Sequence, residues 1–149
     1  MHAIRKFWSL SRREKKCFLE ALSFLAVASV SIKVVAFRHI ERFLRSRTGH
    51  LQHHLSLEQE VRLVQASILR ATRALPWSAL CLSQSIAEYL MLRRRGIAAA
   101  IIAGVQFAGD RSLNAHAWVD LGLSNHKKKD EASESYTVVM RIGSEIADR

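Results

Sequence analysis

Cysteine is nearly missing from this chain: there are two in 149 residues, Cys17 and Cys81, in dissimilar settings. Two thiols are too few for a disulfide framework, so a reducing cytoplasm is the simpler setting and each thiol needs its own explanation. Acids are scarce as well, 13 against 23 Lys and Arg, for a net charge of +10. Such a surface suits nucleic acid, anionic lipid or an acidic peptide. No aromatic-and-basic RNA motif and no zinc-finger spacing is present, so nucleic acid is not an expected partner. A long uninterrupted apolar run is also lacking. Residues 17–37, CFLEALSFLAVASVSIKVVAF, are broken by Glu20 and Lys33, and the uncharged run between them falls well short of the roughly 20 residues needed to span a bilayer. The basic start (Arg5, Lys6, Arg12, Arg13, Lys15, Lys16) has the character of a signal-peptide n-region, but no small-residue cleavage site follows it. The stretch reads as a buried core helix, with a helix lying on a membrane surface or against a partner as the competing reading. There is no internal repeat, and the only biased run is Lys127-Lys128-Lys129.

What is present suits one domain over residues 1–149: 49% of the residues are hydrophobic, enough for a sizeable core, and the charged fraction of 24% is ordinary. Ser9 or Ser11 can cap a long first helix running toward Arg47, apolar nearly all round its middle, as burial on several sides would require. Thr48-Gly49 is a stop, and residues 50–56 read as a connector. Ser56 and Gln59 form a capping box, followed by Val61, Val64, Ile68, Ala71 and Leu75 at helical spacing. That helix ends before Pro76, the only proline in the chain. Ser78 is the expected N-cap of a third helix that ends in Arg93, Arg94 and Arg95, where cations suit the macrodipole, with Gly96 as the stop. The pattern then changes. Residues 98–107, 115–121 and 136–143 read as three strands, with turn-rich or polar connectors between them. Helices first and strands last predict an α+β fold, N-terminal helices packed on a small C-terminal antiparallel sheet.

Two residues stand out as chemistry. With Ser78 as cap, Cys81 falls in the first helical turn, where free N–H groups and the positive dipole end favour a thiolate. A cysteine nucleophile needs that, although a free Cys is also a common core residue. His116 lies on a strand face shared with Trp118 and Asp120, opposite the apolar Ala117, Val119 and Leu121. An imidazole near a thiol can hold a thiolate–imidazolium pair and then protonate a leaving amine. Asp120 and Asp130 are the candidates to orient it. Strand rise puts Asp120 about 13 Å from His116, too far for a direct bond, which favours Asp130 beyond the turn. Trp77 and Trp118 are candidate cleft walls, with core packing as the alternative, and Cys17 reads as inert packing. His50, His53 and His54 cluster, but only Glu58 stands nearby, so no metal site is expected. The lysine run reads as solvated.

The segments CLSQSIAEYLMLRRRGIAAAIIAGV and AHAWVDL together resemble the leader peptidases of lasso-peptide biosynthesis, members of the transglutaminase-like cysteine protease superfamily. The shared features are a cysteine at a helix start, the Leu-Arg helix end with Gly96, Gly104-Val105, and a His-Ala-Trp-Val-acid strand whose histidine lies 35 positions after the cysteine. The motifs run over residues 76–130, and the basic, apolar N-terminal helix with Trp8-Ser9-Leu10 is similar too. The resemblance implies a transglutaminase/papain-like core over residues 57–149, behind a helical part and connector over 1–56. It implies Cys81 as nucleophile, His116 as general base and acid, and Asp130 as third member, although SNHKKK lengthens the turn before it. Asp120 matches an acid that need not be catalytic. No cofactor is implied. The implied partners are a precursor peptide bound through its leader, a separate leader-binding protein and an ATP-dependent lasso cyclase, since the chain looks like the stand-alone form. The location implied is cytoplasmic, with peripheral membrane contact through the first helix as a further expectation. Two other readings compete: an acyltransferase using an amine in place of water, and a non-enzymatic basic adaptor for a partner or a membrane surface.

Overall fold

The structure is a computed structural model that describes residues 10–46, 56–107, 112–122 and 135–143. Its elements are α1 (Arg12–Val34), α2 (Phe37–Ser46), α3 (Leu57–Ala74), α4 (Cys81–Arg94), β1 (Ala100–Phe107), β2 (Leu113–Asp120) and β3 (Thr137–Gly143). This is an α+β arrangement: four helices precede a three-stranded antiparallel sheet in the order β2-β1-β3.

The first helix begins where a cap is chemically complete. Ser11 Oγ accepts from the Glu14 N–H at 3.2 Å, and the Ser11 N–H donates to Glu14 Oε2 at 2.9 Å. This reciprocal box satisfies two donors and selects Ser11 over Ser9 as the cap. The expected single helix to Arg47 is corrected. Val35 is extended (φ −111°, ψ 132°), and the chain restarts as α2 at Phe37. No glycine or proline marks the break. Val34-Val35 is a β-branched pair, which favours extended backbone. The bend lets α2 bury Ile40 and Leu44 beneath it, and the Leu44 carbonyl accepts from the buried Tyr89 hydroxyl at 3.1 Å. The α1 core face is one-sided: Cys17, Ala21, Leu25, Ala28 and Ser29 are buried, whereas Leu19, Val27, Val30 and Val34 are 53%, 63%, 56% and 74% exposed.

The Ser56/Gln59 capping box of α3 is formed, and Val61, Val64, Ile68 and Ala71 enter the core as their spacing requires. Leu75 turns extended ahead of Pro76, whose ring disfavours helical backbone in the residue before it. At the far end of α4 the chain closes in a Schellman turn. The Gly96 N–H donates to the Arg93 carbonyl (3.0 Å) and the Ile97 N–H to the Leu92 carbonyl (3.1 Å), with Gly96 at φ 68°. Ile97 and Leu92, the two positions whose apolar side chains usually accompany this turn, are both buried in the core.

Three of the helices meet around an ionic cluster that is buried at Glu60 and partly buried at Arg95 and Glu20. Arg95, just past α4, donates to Glu20 of α1 (2.7 Å) and lies 3.4 Å from Glu60 of α3. Arg13 also binds Glu60, Arg94 binds Glu20 at 3.1 Å, and Cys17 Sγ lies 3.6 Å from Arg95. Glu60 is only 2% exposed. Burial alone would disfavour the charged Arg95 guanidinium, but the hydrogen bond and charge of Glu20, aided by Cys17 and Glu60, outweigh it and raise its pKa.

The helices cover one face of the sheet. Ile101, Ala117, Leu121 and Ile142 are buried there, and α4 packs along β2 and β1. Removing Arg95 leaves two carboxylates inside the fold without their shared cation. Arg95→Met is expected to cost about 3–5 kcal/mol in urea unfolding, and adding Glu60→Gln in the same chain should recover part of that loss.

Candidate active site

Cys81 is the first residue of α4. The expected cap is corrected: Ser78 lies outside the helix, Leu80 holds the N-cap position, and no side chain caps the end. Residues 77–80, after Pro76, stay non-helical, which delays the start until Cys81. The polar side chains nearby point to carbonyls instead. Ser83 Oγ donates to the Leu80 carbonyl (2.8 Å) and Gln84 Nε2 to the Ala79 carbonyl (2.8 Å). The first intrahelical backbone bond is Gln84 N–H to the Leu80 carbonyl at 3.1 Å. The amides of Cys81, Leu82 and Ser83 therefore precede the ladder, at the positive end of the helix, beside a partly exposed thiol.

Cys17 has the opposite surroundings. It is 3% exposed, its Sγ lies 3.9 Å from the Leu63 carbonyl, and burial pushes its thiol pKa up against the pull of Ser67 and Arg95. It packs the core, as the sequence suggested.

His116 sits on β2 directly opposite Gly104 of β1. Alternation puts its ring on the same face as Trp118, and the two rings stack with centroids 5.9 Å apart and planes 20° from parallel. A third ring, Tyr136 just before β3, stands 5.7 Å from His116 and 6.4 Å from Trp118. Tyr136 was not singled out in the sequence. Its only signal is that it opens the run YTVVMRIG, and its contact with His116 depends on how β3 pairs.

Two features of the sheet admit these rings. The first is Gly104: a Cβ there would lie 2.9 Å from Tyr136 Cβ and 3.1 Å from Trp118 Cη2. The second is a bulge. Ala103 pairs with Met140 but Gly104 pairs with Val138, so Val139 is an extra residue in β3 beside the cluster. Bulges of this kind re-aim neighbouring side chains.

Asp120 lies four residues beyond His116, opposite Ala100, and is committed elsewhere. One oxygen accepts from the Gly122 N–H at 2.9 Å and the other from Arg141 of β3 at 3.2 Å. Arg141 is opposite Ile102, so this pair straddles β1 beside the Trp118 ring. Asp130, His50, His53, His54 and the lysine run lie outside the described residues. Trp77, 42% exposed, stands in the connector ahead of α4. Helix α4 and strand β2 pack together, which brings the elements carrying Cys81 and His116 into contact. Among the described residues no hydrogen bond joins the two side chains, and the ring contacts of His116 are Trp118 and Tyr136.

Gly104→Ala is expected to displace the Trp118 and Tyr136 rings and cost about 1–3 kcal/mol by overpacking. A weakened near-UV circular dichroism band together with a lowered melting temperature would register both effects.

A sequence profile of the transglutaminase-like superfamily matches residues 22–141, from α1 to β3. No curated protein and no solved structure shows significant similarity to the chain.

Proposed function

The chain belongs to the transglutaminase-like superfamily, a group of cysteine proteases and acyltransferases, and on that premise we propose that it is the cysteine peptidase that removes the leader from a lasso-peptide precursor. The observation that carries this reading is the position of Cys81. It opens a helix whose first-turn N–H groups no side chain caps, and that helix packs on the strand bearing His116. The resemblance of the CLSQ and HAWVD segments to lasso leader peptidases narrows the superfamily to this substrate.

In the proposed reaction Cys81 Sγ attacks the carbonyl carbon of the peptide bond between leader and core. The new C–S bond turns the carbonyl into a tetrahedral oxyanion, to which N–H groups at the start of α4 can donate. His116, as imidazolium, protonates the leaving amine as the C–N bond breaks, which frees the core peptide's amino terminus. Water then attacks the thioester, giving a proton to His116, and the thiolate leaves as the C–S bond breaks, which releases the leader carboxylate and restores the thiolate–imidazolium pair. Trp118 and Tyr136 wall the imidazole on two sides and restrict its rotation. Asp130 is the proposed orienting acid. Asp120 is the weaker choice because Arg141 and the Gly122 amide already occupy both its oxygens. The freed amine is what an ATP-dependent cyclase would consume, and a leader-binding protein would present the substrate.

Cys81→Ala and His116→Ala should each abolish cleavage of a precursor supplied with its leader-binding protein while both variants still melt cooperatively; wild-type processing by Cys81→Ala would end this reading. A mass spectrum of the released leader separates the acyltransferase alternative: a free carboxylate in the presence of added amines supports the peptidase, and an amide supports the transferase. Asp130→Asn should lower kcat by at least about tenfold. Asp120→Asn should act mainly on stability, by about 1 kcal/mol or less, because its ion pair with Arg141 is exposed.

A further inference from the structure

Helix α1 has a second face that the chemistry above does not use. Leu19, Ser23, Val27, Val30 and Val34 recur at spacings of three and four, so they form one stripe opposite the buried Cys17, Ala21, Leu25 and Ala28. The four apolar members are each more than half exposed. Beside the stripe, an apolar cleft of about 250 Å³ opens between α1, α2 and α4, lined by Phe24, Val27, Val35, Phe43 and Leu90 among others.

The exposed cations around this surface outnumber its acids. Arg12 and Lys16 are exposed at the start of the stripe, Lys33 near its end, and Arg38 and Arg42 on α2. The carboxylates of α1 and α2 are all committed: Glu14 to the Ser11 cap, Glu20 to Arg94 and Arg95, and Glu41 to Arg45. An apolar strip about 22 Å long, with cations at both ends and no uncommitted acid on α1 or α2, complements an anionic lipid surface.

We propose that the exposed face of α1, with the adjoining cleft and α2, binds the surface of an anionic membrane with α1 lying in the plane of the interface. The stripe enters the boundary between headgroups and acyl chains, and the flanking cations meet lipid phosphates. By length and composition α1 is apolar enough to cross a bilayer. Crossing would strip its other face from α3 and α4 and break the Glu20 ion pairs, whereas lying flat keeps both. This placement is independent of which acyl-transfer reaction Cys81 performs.

The test is co-sedimentation of the full chain with vesicles of phosphatidylcholine alone and of phosphatidylcholine mixed with phosphatidylglycerol. The wild type should sediment with the anionic vesicles and be released by high salt. Val30→Ser/Val34→Ser keeps the charge and should weaken binding at least about tenfold, as should Lys33→Ser/Arg38→Ser. Arg62→Ser/Arg73→Ser removes two exposed cations from α3 and should bind like the wild type. Thermal melts confirm that each variant folds. The proposal is overturned if the wild type does not bind, if the valine variant binds as tightly as the wild type, or if the α3 variant loses as much as the Lys33/Arg38 variant. A dimer that the valine variant abolishes, without vesicle binding, would assign the face to a second copy of the chain and equally overturn it.

Discussion

Arg95 is held between two carboxylates from different helices, one buried (Glu60) and one partly buried (Glu20). Glu20 belongs to α1, Glu60 to α3, and Arg95 itself follows the last turn of α4. Charges inside a protein are costly unless paired and hydrogen-bonded, and one guanidinium with a planar fork can serve both acids only in a narrow range of positions. The apolar core, with Leu25, Val64, Leu92 and Ile101 fully or almost fully buried, supplies the stabilisation. It is non-directional and would tolerate helices sliding past one another by a fraction of a turn. The ionic cluster does not tolerate that, because a displaced helix would leave a carboxylate unpaired in the interior. It therefore sets the relative positions of α1, α3 and α4.

That constraint reaches the candidate site through the length of α4. One end of the helix is closed by the Schellman turn at Gly96 and anchored by Arg95; the other end is Cys81. A helix is stiff over fourteen residues, so fixing its far end also fixes the position of its first residue, Cys81. The sheet contributes the complementary half. Its core face is apolar and covered by helices. Its other face carries His116, Trp118 and Tyr136 over the gap left by Gly104, alongside the buried Ala100 and Ile102. The chain belongs to the transglutaminase-like superfamily, whose members are generally cysteine proteases or acyltransferases, and the lasso-leader peptidase is the member of that range proposed above.

The two faces of α1 illustrate a division of labour within one element. Its buried side carries Cys17, Glu20, Ala21 and Leu25 into the core and the ionic cluster. Its opposite side stays apolar without serving the fold. A helix that is apolar all round reads in sequence as fully buried, because periodicity cannot separate a core position from an exposed apolar one. The same ambiguity hid the break at Val35, where a pair of β-branched residues ended a helix without glycine or proline.

Local chemistry was legible from the chain itself. The Ser56 capping box, the stop at Leu75-Pro76, the Gly96 terminus and the three strands each depend on interactions within a few residues, and each formed where the residues required. The alternation that puts His116 and Trp118 on one face is likewise local, as is the strand rise that separates Asp120 from the imidazole. The start of α4 was misplaced by two residues, because Ser78 is a good cap by type but the chain after Pro76 does not yet turn. Contacts between distant segments were decided only by the tertiary structure. Glu20 and Lys33 read as interruptions of an apolar run; in the fold Glu20 becomes the partner of an arginine 75 residues away. Tyr136 meets His116 only because β3 pairs with β1 through a bulge, and Asp120 turns to Arg141 only because both flank the same central strand. Sequence patterns report which side chains share a face, since that follows from backbone geometry over a few residues. Which of those faces meet depends on how whole elements pack, and here that was settled by the shared core and by the few charges buried within it.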